Sequence, residues 1–157
     1  MKLSTVLLVE DNPDDVALTL RAFRRNNFAN EIVVARDGVE ALDYLLGTGP
    51  YADAYPGMPA VVLLDLKLPK IDGLEVLRRV RGGGRAGLMP IVMLTSSGEE
   101  RDVIAGYSMG ANSYIRKPVT FERFVEAVRT LGTYWLLLNE PPPAVSGLHG
   151  SSTKDGK

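Results

Sequence analysis

A chain of 157 residues, 45% hydrophobic and 24% charged, has enough material for one sizeable core and is read as one domain. Its 18 Lys and Arg against 19 Asp and Glu leave a net charge of −1, so no basic field argues for nucleic acid, and the absence of Cys removes disulfides and thiolate metal sites. The start, Met1-Lys2-Leu3-Ser4, lacks the long apolar segment of a signal peptide or membrane span, so a cytoplasmic protein without a membrane partner is expected.

Thr5 to Val9 is a β-branched and Leu-rich run that ends at Glu10-Asp11-Asn12-Pro13, a strand-to-helix junction with Asn12 as N-cap. In the helix that follows, Val16, Ala17, Leu20 and Phe23 recur at helical spacing while Arg21, Arg24 and Arg25 gather near its carboxyl end. Glu31 to Ala35 reads as a second strand. Asp37 caps a second helix whose inner face is Ala41, Leu42, Leu45 and Leu46, ended by Gly47-Thr48-Gly49-Pro50. The loop from Gly47 to Pro59, with Tyr51 and Tyr55, has little periodicity and is either functional or poorly ordered.

Ala60 to Leu64 is a continuous apolar run between Pro59 and Pro69, the mark of a strand buried on both faces, and it delivers Asp65 to its carboxyl end. Asp72 to Val80 is a third amphipathic helix, and Gly82-Gly83-Gly84 after it is expected to be a flexible turn. Pro90 to Leu94 is a fourth buried strand followed by Thr95-Ser96-Ser97, and a weaker helix runs through Tyr107 to a stop at Gly110. Asn112 to Arg116 is a fifth strand, ending at Lys117-Pro118. Thr120 caps the last helix, whose expected core stripe is Phe121, Phe124, Val125, Val128, Leu131, Trp135 and Leu138. A second stripe, Ala127, Thr130, Tyr134 and Leu137, is unusually apolar for a solvent face.

Strand and helix alternating five times predict an α/β fold, a doubly wound five-stranded parallel sheet with helices on both faces. The domain is expected over residues 1–139, with 140–157, rich in Pro, Gly, Ser and Lys, as a disordered tail that has no core residues and places His149 away from any chemistry.

Ligand chemistry in such sheets collects at the carboxyl ends of the strands. There Glu10, Asp11 and Asp65 converge, and like charges packed together need a cation; an oxygen-rich site with open positions suits Mg²⁺. Lys117 can bring a fixed positive charge, and Thr95 a hydroxyl, to a phosphoryl group carried on Asp65. Each piece alone has a plainer reading: a helix-opening turn, a strand end, a surface Lys. Their joint placement on one rim describes an aspartyl-phosphate site.

Leu7-Leu8-Val9-Glu10-Asp11-Asn12, Leu64-Asp65-Leu66-Lys67-Leu68-Pro69, Asp72-Gly73, Leu94-Thr95 and Lys117-Pro118-Val119 together resemble the receiver domain of two-component response regulators, over roughly residues 3 to 138. The resemblance implies a flavodoxin-like receiver fold and Asp65 as phosphoacceptor from a phosphohistidine on a sensor histidine kinase. It also implies that Asp11, Asp65 and the Lys67 carbonyl bind Mg²⁺, that Glu10 acts through water, that Thr95 and Lys117 contact the phosphoryl group, and that Lys117-Pro118 is cis. Tyr114, on the fifth strand, is similar to the family's aromatic switch residue, paired with Thr95. Asp43-Tyr44-Leu45, the Tyr51 to Pro59 loop, Leu68-Pro69-Lys70 and Tyr134-Trp135 further resemble the small stand-alone regulators paired with bacterial phytochrome kinases.

No output domain is expected after Asn139, so the phosphorylated surface would itself be the output, and the chain would be a phosphoacceptor rather than an enzyme in the ordinary sense. Two other readings are a phosphate-independent binding scaffold and an intermediate carrier in a phosphorelay. A phosphatase of the haloacid dehalogenase type would want a second Asp two residues beyond Asp65, where Lys67 stands. The apolar stripe of the last helix with Tyr107, Tyr114 and Tyr134 predicts a homodimer through the last helix and fifth strand, with Tyr107, Tyr134 and Leu137 on its face.

Overall fold

The computed structural model describes residues 3–118 and 120–143. Five parallel strands, β1 (Val6–Val9), β2 (Ile32–Ala35), β3 (Val61–Leu64), β4 (Ile91–Thr95) and β5 (Ser113–Arg116), lie in the order β2-β1-β3-β4-β5. Helices α1 (Pro13–Arg25), α2 (Gly38–Leu46), α3 (Gly73–Arg81), α4 (Glu100–Ser108) and α5 (Phe121–Gly132) make the crossovers. The expected doubly wound sheet is therefore present. The chain leaves β1 toward one edge and returns from β2 to β3 on its other side, which opens a crevice at the carboxyl ends of β1 and β3.

Strict alternation along the central strands divides the core in two. Leu7, Val9, Val62, Leu64, Ile91 and Met93 pack with Leu42 and Leu45 of α2 and Val76, Leu77 and Val80 of α3. Val6, Leu8, Val61, Leu63, Val92 and Leu94 pack with Val16 and Phe23 of α1 and Phe124, Val128 and Leu131 of α5. Each such side chain, fully buried, is worth about 1.5–3 kcal/mol against exposure, so both faces hold the sheet firmly. Of α4, by contrast, Gly106 is the one buried residue.

The helix starts follow their capping residues. The Asn12 side chain accepts the amides of Asp14 and Asp15 at 2.8 and 3.2 Å, Asp37 accepts Glu40 N–H at 2.8 Å, and Asp72 accepts Glu75 N–H at 2.9 Å. Asp37 also lies 3.3 Å from Lys70. The Glu40 amide, with Lys70, lowers its carboxyl below the ordinary 3.8 despite partial burial.

Two expectations are corrected. The glycine run is ordered: Gly84–Leu88 forms a 3₁₀ turn held by Arg81. The Arg81 guanidinium donates to the carbonyls of Gly110 (2.8 Å), Gly87 (3.1 Å) and Met89 (2.6 Å) and to Asn112 Oδ1 (2.8 Å), while Asn112 Oδ1 also accepts Ile91 N–H (2.7 Å). Second, Leu138 does not continue the core stripe. After Gly132 the helix widens into a π-type turn over Thr133–Leu138, which shifts the angular phase that a 3.6-residue period assumes, and Leu138 is 70% exposed. The start of the loop after α2, left open as either functional or poorly ordered, is folded back: Gly47 takes the left-handed C-cap conformation, Gly49–Tyr51 is a 3₁₀ turn, and the Tyr51 ring meets Tyr44 edge-on at 5.3 Å. The tail expected over 140–157 lies outside the described residues from residue 144 onward.

Removing the Arg81 head would orphan three backbone carbonyls at once, so Arg81→Ala is expected to lower unfolding free energy by about 2–4 kcal/mol in urea titration. Asp37→Ala is expected to cost about 1 kcal/mol at neutral pH. Because the Asp37 pKa is lower in the folded protein, its contribution is present above the unfolded value near 4 and fades as pH falls through the folded value. Wild type and Asp37→Ala should therefore converge in stability at strongly acid pH.

Candidate phosphoacceptor site

In register β1 sets Val9 beside Leu64 of β3, so the next residues, Glu10 and Asp65, emerge from neighbouring strand ends. Asp65 N–H donates to the Val9 carbonyl (3.1 Å) and Glu10 N–H to the Ala35 carbonyl (3.0 Å), which holds the backbone of both turns. Glu10, Asp11 and Asp65 each bring a carboxylate oxygen into a group whose members lie within 4.8 Å of one another. Glu10 is buried, Asp65 half-buried and Asp11 exposed. Three hard oxygen donors, one open to solvent, fit a divalent cation that keeps several waters. Among the described residues no other such cluster of carboxylate, His or Cys ligands occurs.

Gly73 explains the Asp72-Gly73 motif. A Cβ there would stand 2.1 Å from the Asp65 carbonyl oxygen and 2.9 Å from Leu66 Cα, and the Gly73 amide donates to the Leu66 carbonyl at 2.8 Å. The first turn of α3 thus lies directly against the Asp65 loop, where a side chain has no room. Asp65 Oδ1 accepts the Leu66 amide at 2.8 Å.

Lys117 crosses to the far side of this cluster. Its Nζ donates to Glu10 Oε1 at 2.7 Å and lies 3.5 Å from Asp15 Oδ2, while Glu10 Oε2 accepts Asn12 N–H at 3.2 Å. Burial pushes the Glu10 carboxyl up, Lys117 opposes that rise, and Asp65 adds to it. Burial alone would lower the Lys117 ammonium, but Glu10, Asp65 and Asp15 outweigh it and raise it overall. Lys117 is thus held as a cation among acids.

Thr95, at the end of β4, is 2% exposed and lines one groove with Asp65, Lys67, Ser96, Ser97, Gly98, Glu99 and Arg116. Its hydroxyl oxygen accepts Ser97 N–H at 3.4 Å. Ser97 in turn donates its hydroxyl to Asp102 at 2.5 Å and accepts the Tyr114 hydroxyl on its carbonyl at 2.9 Å. Tyr114 is half-buried, packed against Gly106, where an added Cβ would be 3.1 Å from the ring. One short loop therefore connects the Thr95 hydroxyl to the Tyr114 ring.

The structure brings together Glu10, Asp11, Asp65, Lys67, Thr95 and Lys117 on one rim, with Tyr114 behind it. Tyr107, Tyr134 and Leu137 are apart from it, 50%, 49% and 69% exposed. Among the described residues no peptide bond is cis, so Lys117-Pro118 is trans rather than cis, the ordinary state of such a bond; Val119 lies outside the described residues. Two rim residues escape a reading by motif. Asp15, in the first turn of α1, is signalled only by standing four residues after Asp11, and Arg116 is signalled only by standing beside Lys117.

A sequence model of the response regulator receiver domain matches residues 6–129. FilR2, a probable methanogenesis regulatory protein of Methanothrix harundinacea, is 42% identical over 137 residues, 87% of this chain and 86% of FilR2. Response regulator Rcp1 of Synechocystis is 34% identical over 131 residues, 83% of this chain and 88% of Rcp1. The Mn²⁺-bound structure of Rcp1 matches with a TM-score of 0.80 and 33% identity, covering 89% of this chain and 99% of Rcp1. The bacteriophytochrome response regulator AtBRR is 56% identical, with a TM-score of 0.71, over 89% of this chain and 100% of AtBRR. A family match that spans most of the chain, carried on the sheet order and strand-end chemistry described above, makes this protein a member of the response regulator receiver family of two-component signalling.

Proposed function

We propose that Asp65 accepts a phosphoryl group from the phosphohistidine of a sensor histidine kinase, and that the kinase is a bacteriophytochrome. The convergence of Asp65, Glu10 and Asp11 within 4.8 Å at the crevice is the observation that carries the phosphoacceptor reading; likeness to AtBRR and Rcp1 supports the phytochrome partner. An Asp65 carboxylate oxygen attacks phosphorus, the bond from phosphorus to the imidazole nitrogen breaks, and the nitrogen leaves with its electron pair. Asp11, Asp65 and the Lys67 carbonyl would hold Mg²⁺, with Glu10 acting through water; bound there, the ion would neutralise charge on the transferring oxygens. Lys117, with donors beyond the one given to Glu10, stabilises the phosphoryl group formed, and the Thr95 hydroxyl donates to it.

Drawing Thr95 toward the phosphoryl group takes away the acceptor of the Ser97 amide and loosens the loop that holds the Tyr114 hydroxyl. Tyr114 then turns inward over Gly106, and the face of α4, β5 and α5 is rebuilt. Ile104 (57%) and Tyr107 (50%) of α4 and, in the turn after α5, Tyr134 (49%) and Leu137 (69%) are exposed, aromatic and apolar side chains of the kind used in self-association. We assign them to a homodimer in a cytoplasmic signalling protein, with no nucleic-acid or membrane partner.

With acetyl phosphate and Mg²⁺, intact mass should show one phosphate on wild type and none on Asp65→Asn; chelating the metal should slow labelling about a hundredfold or more, since metal neutralisation is worth several kcal/mol at the transition state. Labelling of Asp65→Asn equal to wild type would overturn the assignment. In sedimentation velocity wild type should run as a dimer, and Leu137→Arg with Tyr134→Ala as a monomer. A wild-type monomer at high concentration, with and without beryllofluoride, would sink the dimer.

A further inference from the structure

The groove over Asp65 is lined by two cationic side chains, Lys67 and Arg116, and the mechanism above uses neither of them. Arg116 is the last residue of β5, in register with Thr95, and it lines the groove together with Asp65 and Lys67. Its side chain lies flat along the loop between β4 and α4. A Cβ at Gly98 would stand 2.8 Å from Arg116 Cδ and Nη1 and 2.9 Å from Nε, so the absence of a side chain at residue 98 is what lets the guanidinium rest there. The residue is exposed, and among the described residues it has no carboxylate partner.

Its neighbours differ. Lys117 is committed to Glu10 and Asp15, and Glu99, which lines the groove along with Asp65, is taken by Arg101 at 2.9 Å. The floor of the site carries three carboxylates, so an anionic phosphoryl donor approaches against like charge. A planar guanidinium with several unshared N–H donors at the mouth matches phosphate oxygens in charge and geometry.

We infer that Arg116 is an anion-binding residue of the transfer site, holding phosphoryl oxygens of the incoming donor at the groove mouth while Asp65 attacks. The inference rests on the phosphoacceptor reading of Asp65. With acetyl phosphate the bond from an Asp65 oxygen to phosphorus forms, the bond from phosphorus to the acetate oxygen breaks, and acetate leaves with the electron pair; Arg116 contacts oxygens that stay on phosphorus. Gly98 keeps the guanidinium in position.

The test measures second-order labelling rates by intact mass, with acetyl phosphate and with phosphoramidate, in saturating Mg²⁺. Arg116→Gln should slow both donors about tenfold, the scale of one charge-assisted hydrogen bond, and Arg116→Lys should recover part of the loss. Gly98→Ala should slow both as well by displacing the side chain. Mg²⁺ affinity by calorimetry and the melting temperature of Arg116→Gln should match wild type. Arg24→Gln, which removes the same charge from the far end of α1, should label at the wild-type rate. Wild-type labelling rates in Arg116→Gln would overturn the role of Arg116 alone, as would an effect confined to one donor, which would put the contact on the leaving group. A wild type that takes no phosphate from either donor would overturn the reading of Asp65 and this inference with it.

Discussion

The ion pair between Glu10 and Lys117 joins the turn after β1 to the turn after β5, 107 positions apart in sequence and with β3 and β4 between them in the sheet. Both groups are withdrawn from water, Lys117 at 15% and Glu10 at 4% side-chain exposure, so each depends on the other to offset its desolvation. The pair closes the rim as a ring. Lys117 N–H donates to the Thr95 carbonyl (2.8 Å) and Glu10 Oε2 accepts Asn12 N–H (3.2 Å), so the β4 end and the start of α1 are tied into the same arrangement. Asp65 stands in the middle of this frame, with its backbone fixed and its carboxylate half-open to solvent.

The frame is rigid on one side and loose on the other, and this division suits a signalling device. Asp65 is held by β1 and by the close approach of Gly73, in the densely packed half of the molecule. Thr95 leads into a loop whose contacts are polar and few, and then into α4, which buries Gly106 alone. A helix with so little buried surface has little to lose by moving. A charge placed on Asp65 can therefore be resisted on the β3 side and transmitted on the β4 side.

The same asymmetry explains which expectations from sequence hold. The strands, their parallel arrangement and the rim of Glu10, Asp11, Asp65, Thr95 and Lys117 follow from apolar runs that end in Glu, Asp, Thr and Lys, because strand burial and crossover handedness leave little freedom once the alternation of elements is set. Helix starts at Asn12, Asp37, Asp72 and Thr120 are equally legible, since capping is a local exchange between one side chain and the next two or three amides. The π-type turn after Gly132 is not, because a period measured over the whole helix assumes one geometry throughout. Nor is the order in the glycine run after Arg81: it comes from a guanidinium that finds carbonyl partners up to 29 residues away.

By itself the sequence determined the fold class, the rim that carries the chemistry and the identity of the acid that stands at its centre, all of which depend on local pattern and on which residue type ends each strand. Tertiary structure alone decided how the charges are shared. Lys117 is engaged by Glu10 and Asp15, Glu99 by Arg101, and Arg116 lies along Gly98 with no carboxylate partner among the described residues. Charge pairing is set by distances of a few ångströms between side chains remote in sequence, and Coulomb energy at that range depends on geometry that no spacing along the chain encodes.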